Sequence, residues 1–142
     1  MKVKILIIII FIAVLIAFIS VLFVVKSRDI DFDVVKVEEL DNDFQDTIKQ
    51  IKEQNTYFII KDKTIVVYSN LGKSGLYTYP YAEIIQEKNK LTVNIKSHMA
   101  ADERYVKEIL IVRINNIKQL PNEFETTFLD QKTNYKIIDL SK

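Results

Sequence analysis

The sequence predicts an α+β fold in two parts: an N-terminal transmembrane helix, then a mainly antiparallel β domain, barrel-like or sandwich-like, with one amphipathic helix. Three observations predict it. Residues 5–25, ILIIIIFIAVLIAFISVLFVV, are apolar apart from Ser20. Leu40, Phe44, Ile48 and Ile51 recur at helical spacing. Beyond Asn55 the apolar residues fall in short blocks divided by turn residues, the mark of successive strands.

The apolar run has 21 residues. As a helix it would extend roughly 31 Å, against a hydrocarbon core of about 30 Å. A helix meets all its backbone hydrogen bonds internally, as lipid requires. Each central Ile, Leu, Val or Phe favours insertion by about 0.3–0.6 kcal/mol, and no charge in the run opposes it. The alternative is a cleaved signal peptide with Lys2 and Lys4 as its basic end, but such apolar regions typically run about 7–15 residues. No small-x-small cleavage site follows; the exit reads Phe23, Val24, Val25, Lys26, Ser27, Arg28. Without cysteine, lipid acylation of that residue type is excluded, and no disulfide holds the domain. The expected organisation is therefore a single-pass signal anchor with basic flanks over residues 1–28 and an exported domain over residues 29–142. Lys2, Lys4 and the amino terminus favour the N-terminus inside and an extracytoplasmic domain at the cell membrane.

The 114 residues after Arg28 suffice for one domain with a modest core. The first 28 residues carry four of the 20 basic groups and none of the 19 acids, so the remainder holds 16 against 19, a net −3. Nucleic acid needs a basic footprint, and none is expected as a partner.

Along the domain, Ile30, Phe32 and Val34 alternate with Asp29, Asp31 and Asp33, an extended segment. Val35 and Val37 shift the apolar parity, which predicts a bulge or register change near Val34. An amphipathic helix is expected over residues 41–54, with Asp41 or Asn42 as its cap and Lys49 and Lys52 near its end. Residues 57–61 and 64–69 read as a hairpin around Asp62-Lys63. Residues 70–75 read as a turn, and residues 76–85 and 90–97 as a second hairpin. Residues 106–115 form the strongest strand, residues 123–129 a strand or a short helix, and residues 135–140 a closing strand.

The inventory for catalysis is poor. His98 is the one histidine, and no nucleophile turn accompanies it, so it reads as an exposed loop residue. Asp29, Asp31 and Asp33 would share one face of an extended segment. A calcium loop counted from Asp29 needs Gly at its sixth position and Glu at its twelfth, where Val34 and Leu40 stand. A solvated acidic collar is the reading, and no metal site and no cofactor is expected. Gly72-Lys73-Ser74-Gly75 lacks the Walker spacing and reads as a tight turn needing positive φ. Tyr77, Tyr79 and Tyr81 alternate after it and line one strand face, where packing is favoured over partner contact.

The middle of the chain resembles the C-terminal domain family of PrcB, a protease-complex subunit. The resemblance covers about residues 34–114. Val34-Val35-Lys36-Val37 precedes the helix, and Ile65-Val66-Val67-Tyr68 leads into Leu71-Gly72-Lys73-Ser74-Gly75-Leu76-Tyr77. That turn is similar to the family's Gly-Lys-x-Thr-Gly-Gly-Tyr pattern, with Ser74 for threonine and Leu76 for the second glycine of the pair. The resemblance implies a small β-rich binding domain associated with proteases and without catalytic activity. It implies partner contact at Gly72, Lys73, Ser74, Gly75 and Tyr77.

The expected function is a membrane-anchored extracytoplasmic accessory module, not an enzyme, with a protein partner that the resemblance makes a protease. Two alternatives stay open. One is a structural subunit acting through its membrane helix, where Ala13 and Ala17 give a small-x-x-x-small pair. The other is a hydrolase using carboxylates such as Glu83, Glu87, Asp102 or Glu103.

Overall fold

Two contrasting hydrophobic patterns build two sheets. TYFIIK and TIVVYSN are apolar at nearly every position, whereas KLTVNIKS alternates. The first pattern suits a sheet buried on both faces and the second a sheet buried on one. A computed structural model describes residues 28–72, 78–99, 107–115 and 117–141. Among them are strands β1 (Arg28–Asp29), β2 (Phe32–Val34), β3 (Thr56–Lys61), β4 (Thr64–Asn70) and β5 (Thr78–Glu87). β6 (Lys90–Met99), β7 (Ile109–Ile114), β8 (Glu123–Phe128), β9 (Gln131–Thr133) and β10 (Tyr135–Asp139) follow. A 3-10 turn, Val37–Glu39, precedes the one α-helix among the described residues, α1 (Asn42–Gln50).

The outer sheet has the order β1-β5-β6-β8-β9 and the central sheet β10-β3-β4-β7-β2. Most neighbours are antiparallel, but β6 and β8 run parallel, as do β3 and β10. The sheets face each other across a core of Phe58, Ile65, Val67 and Val112 from the central sheet and Leu91, Val93 and Ile95 from the outer one. The other face of the central sheet carries Tyr57, Ile59, Val66, Tyr68 and Ile111, covered by Leu40 and by Phe44 and Ile48 of α1. The layers are outer sheet, central sheet, helix.

The expected α+β class is corrected to a mostly β, two-sheet fold. The helix is shorter than the expected 41–54 because Ile51 leaves helical geometry at φ −76, ψ 118. Asp41 occupies the cap position in extended geometry without a side-chain cap bond; instead its carbonyl accepts the Gln45 N–H at 3.1 Å. The expected anchor is corrected as well. Residues 1–27 lie outside the described residues, and among the described residues no helix is long and apolar enough to cross a membrane. At about 1.5 Å per residue, α1 reaches less than half of a bilayer core of about 30 Å. The membrane, signal-anchor and single-pass description is therefore not carried by any helix among the described residues.

The parity shift near Val34 has a topological cause. Ile30 and Phe32 pack against the core between the sheets, whereas Val35 and Val37 belong to the helix-side core. β1 pairs with β5 in the outer sheet and β2 with β7 in the central sheet, so this short segment crosses from one sheet to the other. Arg113 pins the crossing: its guanidinium donates to the Glu39 carbonyl at 3.2 Å and to Asp33 at 3.3 Å.

Candidate functional site

The buried polar residues of the described chain are Thr56, Ser69 and Thr126, and all three stand at inward-facing strand positions. Thr56 shares the parity of Phe58, Ser69 that of Val67, and Thr126 pairs with the core residue Val93. An inward hydroxyl costs free energy unless it is hydrogen-bonded. Thr56 and Ser69 hydroxyls therefore bond each other at 3.1 Å, and Thr126 bonds the Thr133 hydroxyl at 2.7 Å. These pairs turn one end of the sandwich interior polar.

A cleft of about 480 Å³ opens at that end. Its walls carry the amides Gln54, Asn55, Asn70 and Asn134, with Thr133 and Lys132. Its apolar part is Leu71, Ile95 and Phe128. The strand ends are tied down around it: the Asn70 N–H donates to the Asn55 carbonyl at 3.1 Å and the Leu71 N–H to the Glu108 carbonyl at 2.8 Å. The Asn55 side chain accepts the Thr56 N–H at 2.8 Å. Lys132 is the one titratable group among the described lining residues, and it lies 3.4 Å from Glu125. Lys90, the first partner of Glu125, holds that carboxyl below its ordinary range. Apart from Lys132, the described wall residues offer neutral donors and acceptors to a ligand.

Gly72 sits beside this cleft and is buried, with φ +69. Its N–H donates to the Asn70 side-chain oxygen at 3.1 Å. A Cβ built on it would lie 2.4 Å from Nε2 of Gln54, so the Gln54 amide packs directly on the glycine. The left-handed conformation favours glycine here, while the close approach involves only the far end of the flexible Gln54 side chain. Of the five contact residues that the family resemblance implies, Gly72 alone is described; Lys73, Ser74, Gly75 and Tyr77 lie outside the described residues.

The other sequence candidates separate. Tyr79 is exposed with Lys107 above its ring at 4.7 Å, and Tyr81 stacks on His98 at 4.5 Å, while Pro80 and Ala82 face inward. The two tyrosines therefore share the outer face of β5, and Tyr77 lies outside the described residues. His98 belongs to strand β6 rather than a loop. Asp29 and Asp33 stand in strands of different sheets, and Asp33 pairs with Arg113. Among the described residues no group of three His, Cys, Asp or Glu side chains is placed to hold a metal ion. Glu83 pairs with Lys96 at 2.7 Å, Glu87 is exposed at the end of β5, and Asp102 and Glu103 lie outside the described residues.

The amide cleft was not singled out by sequence reasoning. The signal was available in hydroxyl residues at strand positions whose parity demands a core side chain, next to Asn and Gln at the strand ends. No protein-family model matches the chain, and neither a curated protein nor a solved structure matches it.

Proposed function

We propose that this domain is a non-catalytic, extracytoplasmic protein-binding module working at the cell membrane, with a protease as the class of partner. The observation that carries this reading is Gly72. Asn70 and Gln54 hold it beside the amide cleft, immediately before the residues for which the resemblance implies partner contact. A loop held by a rigid scaffold is a common way to present a contact surface. The cleft chemistry supports binding over turnover, because its described lining offers neutral amides and hydroxyls with Lys132 as the one titratable group. The likeness of residues 34–114 to the PrcB C-terminal family supports the choice of a protease partner. The net −3 of the residues beyond Arg28 supports a protein partner over nucleic acid.

The test is recovery of partners from membranes with wild type and a Gly75→Trp variant. The expected outcome is a partner, identified as a protease, that is retained by wild type and lost by the variant. Equal recovery by both would remove the turn from the contact. Protease accessibility of the domain in intact cells tests its location: digestion from outside is expected, and full protection would place the domain in the cytosol.

A further inference from the structure

The two sheets end in four edge strands of unequal length. β1 has two residues, β2 three and β9 three, whereas β10 has five, Tyr135–Asp139. Short edges resist pairing with other chains, and a longer one needs protection by Pro, a bulge or charge. β10 contains no Pro and pairs with β3 in unbroken parallel register from Tyr135 to Asp139. Its lysine, Lys136, is drawn off the edge by Glu53 and lies over the Tyr57 ring at 6.0 Å.

The hydrogen-bond phase of β10 follows from the bond donated by the Leu140 N–H to the Ile60 carbonyl at 2.8 Å. Strand backbone groups alternate sides, so Lys136, Ile138 and Leu140 address β3. Tyr135, Ile137 and Asp139 then point their N–H and C=O groups away from the sheet. Among the described residues no strand takes them up. Tyr135, at one end of this row, is 37% exposed, and Ile137, at its centre, is 49% exposed.

We propose that β10 pairs antiparallel with β10 of a second copy of this chain about a two-fold axis at Ile137. The row is self-complementary. Centring the axis on Ile137 sets Ile137 against Ile137 and Tyr135 against Asp139 of the second copy, using only outward-facing residues. The phenol meets a carboxylate, the two isoleucines cover each other, and no like charges stand directly opposite. The two central sheets join into one ten-stranded sheet. An isologous contact of this kind closes at two copies and leaves no further β10 edge.

The chain contains no cysteine, which makes the geometry directly testable. In an antiparallel hydrogen-bonded pair the Cα atoms stand about 5.5 Å apart, within disulfide reach. Full-length Ile137→Cys under mild oxidation is expected to give a covalent dimer as its main product on a non-reducing gel. Lys88→Cys, on the exposed turn between β5 and β6, is expected to give little. Ile137→Pro removes an outward N–H and leaves the bonds to β3 in place. With its melting behaviour retained, this variant is expected to sediment as a monomer where wild type sediments as a dimer. Absence of the Ile137 cross-link, equal cross-linking at Lys88, a cross-link to a different protein, or a dimer unaffected by Ile137→Pro would each overturn the proposal.

Discussion

The central and outer sheets have five strands each and share one core, yet they bury their residues differently. β3 and β4 are buried at almost every position, so both parities of side chain are inside. β6 is buried at alternate positions only. The difference comes from α1 and the 3-10 turn before it, which cover the second face of the central sheet with Leu40, Phe44 and Ile48. A single nine-residue helix thus changes what is required of the strands beneath it. The outer sheet keeps a solvent face and carries there Tyr79, the Tyr81–His98 stack and the Lys96–Glu83 pair. The central sheet is the folding core, and the outer sheet and the sandwich ends carry surface chemistry.

The sharpest break of this comparison is at Phe58. It is fully buried between the sheets, with Phe124 at 4.6 Å and Tyr135 edge-on at 5.4 Å. Phe58→Ala is expected to cost about 3–5 kcal/mol, read as a lower denaturation midpoint at unchanged slope. A loss below about 1 kcal/mol would mean that the sheets are not packed through this ring.

Adjacent positions give the next effect. Ile59 is as buried as Phe58 but faces the helix, so Ile59→Ala is expected to cost about 2–5 kcal/mol. In the outer sheet the same step should fail: Ile84→Ala costs in that range, whereas Ile85, 37% exposed, costs about 1 kcal/mol or less. Equal losses at Ile84 and Ile85 would show the outer sheet to be covered on both faces too.

This asymmetry explains what was legible in the sequence. The hairpin around Asp62-Lys63 was readable because two apolar runs flank a two-residue turn, and β3 and β4 pair from Thr56–Ser69 to Lys61–Thr64. The residue after Lys61, Asp62, takes φ 53, which aspartate tolerates. The crossing between sheets was visible only as a change of parity at Val34, since periodicity reports which face is buried and not which sheet owns it. β9 was missed because Gln131–Thr133 carries no apolar residue and is a strand through its pairing with β8. The parallel pairings of β6 with β8 and β3 with β10 were missed for a related reason: strand patterns carry no direction. The cleft was missed because amides at strand ends look like ordinary turn residues until both sheets bring them together. Helix length was overestimated because Ile51 continues the apolar stripe, although its backbone has already turned out of the helix.

A smaller effect is expected at Gly72, where the end of the central sheet meets the cleft. Gly72→Ala forces a Cβ into left-handed geometry, a cost of about 1–2 kcal/mol. It also meets Gln54, but through the far end of a flexible side chain. The double variant Gly72→Ala with Gln54→Ala is therefore expected to keep most of the loss. Full recovery in the double variant would assign the cost to the amide contact and leave the backbone argument without support.

The smallest effect compares the turns of the two sheets. In the central sheet the left-handed turn residue is Asp62, a residue type suited to that conformation. The outer sheet uses Lys88 at φ 50 between β5 and β6, and Leu129 at φ 50 with Asp130 at φ 64 between β8 and β9. A two-residue connection with both φ values positive favours Asn or Asp at its first position and Gly at its second. Leu129 meets neither preference, and its side chain is 53% exposed, so little packing offsets the strain. Its N–H donates to the Ile95 carbonyl at 3.0 Å, a bond that asparagine keeps. Leu129→Asn is therefore expected to stabilise the domain by about 0.5–1 kcal/mol, seen as a raised thermal midpoint. Asp62→Leu in the central sheet should do the reverse by a similar amount. A destabilised Leu129→Asn variant would show that the leucine is held at the turn by a contact worth more than its backbone strain, and the outer sheet would then be packed on a surface that its alternating pattern does not reveal.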